Sequence, residues 1–248
     1  MRRFSALAAL AAATALAVSA RAEVLDRVSR TLPLAPGVPV YIDATIADLT
    51  IVGADRPDMA VDVVRRAPTS ADFAKFPPSV EAAGDAVRIG VLQAADGKDA
   101  ALKAEITISA PAAAVFQAIR VFEGKVKLTN LRTAVDVDLR RGPIDATGLA
   151  GRIRLEAGIG SVDVKQAELT AGGMMRLRVF NGPVRVRFPR TPANGRILAV
   201  TFNGALTSDI PLTFKDKFGP RFGETTLGSG DPVLSIDDVK GDISIKVG

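Results

Sequence analysis

The sequence predicts an all-β protein, read as a parallel β-solenoid of about 22 residues per coil with an antiparallel β-sandwich as the alternative. Three observations predict it. From Val38 onward apolar and polar residues alternate, the period of a strand with one buried face. From Gly124 a pattern of glycine, any residue, aliphatic, polar, aliphatic recurs to the end of the chain. The third is a spacing: Gly151, Gly160, Gly173 and Gly182 are separated by nine, thirteen and nine residues, so two strands and two corners occupy 22. Units this small cannot bury their apolar faces alone and must stack.

Residues 1–22 precede the alternation. Arg2 and Arg3, an uncharged Ala-rich run of 17 residues, and Ala20-Arg21-Ala22 have the layout of a secretory signal cut after Ala22. The alternative, an uncleaved anchor, needs about 20 strongly apolar residues. The expected product is periplasmic or secreted, with no transmembrane segment after cleavage.

The next region, 23–123, reads as β-rich and continuous with the repeats. "VPVYIDATIADLTIV" (38–52), "MAVDVV" (59–64), "AVRIGVL" (86–92) and "LKAEITIS" (102–109) are strands, with β-branched residues at period two. Residues 67–78 form a Pro-bearing loop and 95–101 a polar turn. "PAAAVFQAIRVF" (111–122) has Pro111 where a first helical turn accepts it, yet "VFQAIRVF" alternates, so it reads as loop and then strand.

The repeat region, 124–248, contains "GKVKL", "GPIDA", "GRIRL", "GSVDV", "GMMRL", "GPVRV" and "GDISI". Val126, Leu128, Val135, Val137, Ile144, Ile153, Leu155, Val162, Val164, Met175, Leu177, Val184 and Val186 are the inward candidates. Lys125, Asp136, Arg152, Asp163, Arg176 and Arg185 alternate with them and face solvent. Phe-Asn-Gly occurs at 180–182 and again at 202–204, 22 residues on. Asn-Gly tolerates the positive φ of a tight corner, and Phe180 and Phe202 are expected to stack in the core. Because Asn-Gly also marks hairpins, the sandwich stays open.

Composition excludes several chemistries. Histidine, cysteine and tryptophan are absent, and Tyr41 is the single tyrosine. Histidine-based general-base catalysis and the common transition-metal sites therefore have no residues to use. Removal of Arg2, Arg3 and Arg21 leaves 29 basic residues of 32 against 27 acidic ones, a net charge of +2 in place of +5. That small excess gives no general support for nucleic-acid binding. No cofactor is expected.

The run of G-x-V-x-V units, then "FNGALTSDIPLTF" and "FGETTLGSGDPVLSIDDVKGDISI", resembles the uncharacterised bacterial putative-adhesin family of β-strand-repeat proteins. The matching features are Asn203-Gly204, a variable loop at 211–227, Gly228-Ser229-Gly230 and the final Gly241–Ile245. The resemblance extends over roughly 38–248 and is firmest over 124–248. It implies an exported solenoid-like domain with no established activity and no catalytic residues to carry over.

Other motifs were weighed for chemistry. "TLGSGDP" (226–232) lacks a histidine to activate Ser229 and reads as a glycine corner. Asp237, Asp238 and Asp242 lack the tandem copies a calcium repeat needs, so they read as turn residues rather than a metal site. The site candidates are six alternate arginines: Arg152, Arg154, Arg176, Arg178, Arg185 and Arg187. At 22 residues per coil Arg154 stacks on Arg176 and Asp163 on Arg185, giving a mixed face that an envelope protein, a glycan or an anionic surface polymer (lipopolysaccharide, teichoic acid) fits. The expected function is a non-catalytic, adhesin-like module of the cell envelope. The alternatives are a polysaccharide-active β-helix enzyme, which needs stacked carboxylates, and a periplasmic lipid- or lipopolysaccharide-binding protein.

Overall fold

The computed structural model describes residues 23–93, 102–215 and 219–248. The expected signal segment and the polar turn at 95–101 lie outside the described residues. The chain runs β1 (Val24–Pro33), β2 (Pro39–Ala54), β3 (Asp58–Ala67), α1 (Ser70–Lys75), β4 (Ser79–Ala83), β5 (Ala86–Val91), β6 (Lys103–Pro111), β7 (Val115–Glu123), β8 (Val126–Thr129), β9 (Ala134–Arg141) and β10 (Ile144–Thr147). It continues through β11 (Arg152–Ile159), β12 (Val162–Lys165), β13 (Met174–Asn181), β14 (Val184–Phe188), β15 (Gly195–Asn203), β16 (Leu206–Ser208), β17 (Thr213–Phe214), β18 (Arg221–Leu227), β19 (Val233–Lys240) and β20 (Ile243–Val247).

These strands join in one open, mostly parallel sheet. The long β2 takes part in two ladders, its second half in one and its first half in the other. The first ladder is ordered β1–β3–β6–β2–β8–β10–β12–β14–β20–β16. The second is β4–β5–β2–β7–β9–β11–β13–β19–β15–β18–β17. Strands on either side of an Asn-Gly corner, such as β13 and β14, pair with neighbouring strands in parallel and not with each other. Among the described residues the strands flanking these corners form no hairpin with each other, and antiparallel pairing within 124–248 is confined to β18 with β15 and β17.

Register shows how the chain advances. Val126 lies beside Ile144 and Ile144 beside Val162, two steps of 18 residues. Val162 lies beside Val184, a step of 22. The longer step corrects the uniform 22-residue unit: residues 166–173 between β12 and β13 replace the four residues that join β10 to β11. Beyond β14 the chain order inverts. The strands β19 and β20 slot between β13–β14 and β15–β16, so the earlier pair lies farther out than the later one.

Corner glycines set how closely the chain can stack. A Cβ on Gly142, Gly160, Gly182, Gly241 or Gly204 would lie less than 3.0 Å from the carbonyl oxygen of the corner glycine one strand away. Those glycines are consequences of backbone on backbone. The aliphatics that follow them point inward, and every inward candidate named above is at most 1 % exposed. Both ladders contribute to a single apolar cluster. Such burial is worth roughly 1.5–3 kcal/mol per Val, Leu or Ile side chain.

Three further expectations are corrected. Phe180 and Phe202 do not stack in the core; they are 64 % and 57 % exposed, because the alternation Met175, Leu177, Val179 turns position 180 outward. The loop at 67–78 contains α1, started by Thr69, whose backbone N–H and hydroxyl both donate to the Asp72 carboxylate at 3.2 and 2.7 Å. The variable loop at 211–227 includes β17 and β18, the latter antiparallel to β15. The segment 111–122 is loop and strand, as expected.

Candidate functional site

The corner at Gly182 divides the six arginines. Arg152, Arg154, Arg176 and Arg178 stand on β11 and β13, neighbours in the second ladder, with Arg152 beside Met174 and Arg154 beside Arg176. Arg185 and Arg187 lie on β14 in the first ladder, where Arg185 has Asp163 on one side and Ser244 on the other. All six are exposed. The sheet thus brings four of them together and sends two to a different face.

On the second ladder the outward side chains form rows across the strands. One row runs Asp136, Arg154, Arg176, Ser235; the next runs Asp43, Arg120, Asp138, Glu156, Arg178, Asp237. The like-charged Arg154 and Arg176 are each offset by a carboxylate. Arg154 reaches Asp136 at 3.1 Å and Glu156 at 2.8 Å, and Arg176 reaches Asp237 at 3.7 Å. Hydrogen bonding to Asp136, then its charge, raises the Arg154 guanidinium above its ordinary value. Arg178 lies 3.9 Å from Glu156. A shallow hollow of about 210 Å³ beside this face is lined by Gln117, Asp136, Arg152, Arg154, Met174 and Arg176.

Stacked carboxylates do occur. Asp145 lies beside Asp163, and Asp138 beside Glu156. Each pair stands on an open face among cations: Lys125 binds Asp145 at 2.8 Å, and Arg120 and Arg178 flank the other pair. Glycoside chemistry needs its two carboxyls on opposite sides of a held sugar bond, and neither pair lines the hollow beside the arginines or the one bordered by residues 188–194.

The aspartates weighed for calcium are dispersed. Asp237 faces Arg176, Asp242 accepts the Ala205 backbone N–H at 2.8 Å, and Asp238 points inward between Val179 and Thr201. Among the described residues no group of three acidic side chains is placed to hold a metal ion. Burial, reinforced by the charge of Asp242, pushes the Asp238 carboxyl up to about 6. Sequence reasoning placed Asp238 in a turn, although its phase with Leu234 and Ile236 marks it as inward.

A hollow of about 930 Å³ lies between residues 167–171, 188–194 and the turn at Ser229–Pro232. Its polar groups mostly pin loops. Asp231 accepts the Gly172 N–H at 2.9 Å, Asn194 accepts the Ser229 N–H at 3.0 Å, and Glu168 pairs with Arg132 at 3.3 Å. Ser229, weighed as a nucleophile, spends its hydroxyl on the Asp231 backbone at 3.2 Å.

No family model and no curated protein matches the chain. Solved structures similar to it include a putative cell adhesion protein from Clostridium sporogenes, at 12 % identity over 90 % of this chain and 100 % of that one, with a TM-score of 0.47. A putative adhesin from Bacteroides fragilis has 12 % identity over 90 % and 97 %, with a TM-score of 0.44. A putative lipid binding protein from Parabacteroides distasonis has 12 % identity over the same shares, with a TM-score of 0.31.

Proposed function

We propose that this chain is an exported, non-catalytic β-solenoid of the cell envelope that presents a flat face to an envelope protein, a glycan or an anionic surface polymer. The observation that carries the reading is the ordered row of side chains on the second ladder. Parallel in-register pairing repeats outward positions every ~4.8 Å, a spacing suited to a polymer and not to a single small molecule. Beneath it the core is closed by aliphatics, so the sheet is a platform and not a container. Arg152, Arg154, Arg176 and Arg178 form the contact, and Arg185 and Arg187 extend it round the corner.

The test uses purified protein on immobilised lipopolysaccharide, teichoic acid and an acidic glycan. Arg154→Glu, Arg176→Glu and Arg178→Glu combined should abolish capture by whichever polymer binds. Capture that survives all three replacements rejects this face.

A further inference from the structure

The two Phe-Asn-Gly corners do more than turn the chain. Phe180 and Phe202 protrude, and register shows what stands beside them. The pairings Val121–Leu139 and Glu123–Arg141 put Phe122 next to Arg140. Those of Ala157–Val179 and Ile159–Asn181 put Gly158 next to Phe180. Val239 then lies between Phe180 and Phe202, since Asp238 and Lys240 pair on one side with Val179 and Asn181 and on the other with Thr201 and Asn203. One column therefore reads Phe122, Arg140, Gly158, Phe180, Val239, Phe202. The column beside it reads Glu123, Arg141, Ile159, Asn181, Lys240, Asn203.

Both columns lie immediately before the corner glycines, where the chain leaves one ladder for the other. They span six strands, about 24 Å at ~4.8 Å per strand. Phe122 and Ile159, like the two phenylalanines, are exposed, at 45 % and 54 %. Arg140, Arg141 and Lys240 stand among these groups against one carboxylate, Glu123. The Arg141 guanidinium lies over the Phe122 ring at 5.7 Å, so a cation is held at the level of the apolar tips.

A contiguous exposed apolar surface marks a contact. This one alternates exposed rings with cations, and carries one of those cations over the Phe122 ring. Protruding rings need a deformable apolar phase, and the cations between them need anions at the depth of the ring bases. The interface of an anionic bilayer supplies both in that order. We propose that this row docks the protein on a membrane surface rich in anionic lipid. Phe180 and Phe202 enter the acyl boundary while Arg140, Arg141 and Lys240 meet phosphates. Phe180 follows Arg178 by two residues on β13, so this row adjoins the arginine rows on the same face; the phenylalanine variants leave every one of those arginines in place, so this docking and the polymer contact are tested separately.

Because the chain contains no tryptophan, Phe180→Trp and Tyr41→Trp each create a protein with a single reporter. Vesicles of equal parts phosphatidylglycerol and phosphatidylcholine should shift the Phe180→Trp emission to the blue, with quenching by brominated acyl chains, and leave the Tyr41→Trp emission unchanged. In cosedimentation, Phe180→Gln with Phe202→Gln should lower the bound fraction about tenfold. Arg141→Gln with Lys240→Gln should lower it about threefold. Circular dichroism of each variant should match the parent, as these side chains are exposed. Unshifted emission, equal binding to pure phosphatidylcholine, or full binding by the double Phe variant overturns the proposal. So does self-association through this row without vesicle binding.

Discussion

Replacing Gly182 by alanine tests the packing of the whole stack at one atom. The residue has φ of +136°, and its added Cβ would meet the Gly160 carbonyl carbon and oxygen at less than 3.0 Å. The oxygen belongs to backbone held in the ladder, so no side chain can rotate away. The Gly182 N–H donates to the Lys240 carbonyl at 2.9 Å and the Gly160 N–H to the Asn181 carbonyl at 2.9 Å. Relief of the clash stretches these bonds, each worth about 1 kcal/mol net and more if left unmade. The positive φ adds roughly 1–2 kcal/mol. A total of about 3–5 kcal/mol follows, near the top of what single substitutions do. Gly172→Ala is the control, with φ of +71° but nothing within 4 Å of its Cβ, and should lose only the conformational ~1–2 kcal/mol. Urea unfolding followed by circular dichroism reads both, at constant slope. If the two variants unfold within 0.5 kcal/mol of each other, a threshold about the size of ordinary surface effects, close backbone stacking is not what selects glycine at the corners.

Two other predictions concern buried polar groups. Asp238, 1 % exposed and with neither carboxylate oxygen hydrogen-bonded, has its carboxyl raised from 3.8 to about 6. The folded state therefore holds that proton more tightly than the unfolded chain, and stability should fall as pH rises from about 4 to about 6, then level off. Asp238→Asn should remove a decline of about 1–2 kcal/mol, the full linkage discounted for screening by nearby water; an unchanged pH slope refutes it. Arg65, 3 % exposed, pairs with Asp26 and donates to the Phe73 and Phe76 carbonyls at 3.4 and 2.5 Å. Asp26→Ala leaves that guanidinium with only the two carbonyls and no counter-charge, and should destabilise by about 2–3 kcal/mol, with faster amide exchange over residues 70–76; exchange at the parent rate would show that Arg65 does not hold α1.

Why some of this was legible and some not is plain at particular residues. Alternation fixed the phase of every inward aliphatic from Val126 to Val186, because one face of each strand must be dry. The same phase, carried one residue past Val179, already pointed Phe180 outward; its apolar character suggested the opposite. Spacing over 151–182 showed the 22-residue step but not the 18-residue steps before it, since the extra residues lie in one connection. The turn at Thr69–Asp72 carried a capping pattern that could have signalled α1. The slotting of β19 and β20 between earlier strands has no local signature, as strands of one pattern compete for the same edge. Arg178 and Arg185 look like one series until the corner at Gly182 sends them to different faces.

The way the ladders end bears on how such a molecule could adhere. A parallel ladder exposes unpaired N–H and C=O groups at its last strand, a template for adding another chain. Here β3 and β1 close one end of the first ladder antiparallel, and β4 closes the second behind β5. At the other end β18 and the two-residue β17 cover β15, while the first ladder stops on β16, only three residues long. Beyond β16, Asp209 accepts both the Lys246 ammonium at 2.9 Å and the Val247 N–H at 3.1 Å, so backbone there is already engaged. The three-residue β16 offers a poor template for strand addition, whereas β1, ten residues long and paired only with β3, presents an outer edge guarded by its charged Asp26, Arg27 and Arg30. Contact through side chains, on the arginine rows or along the phenylalanine row, needs no such edge and is separable from strand addition by the substitutions named above.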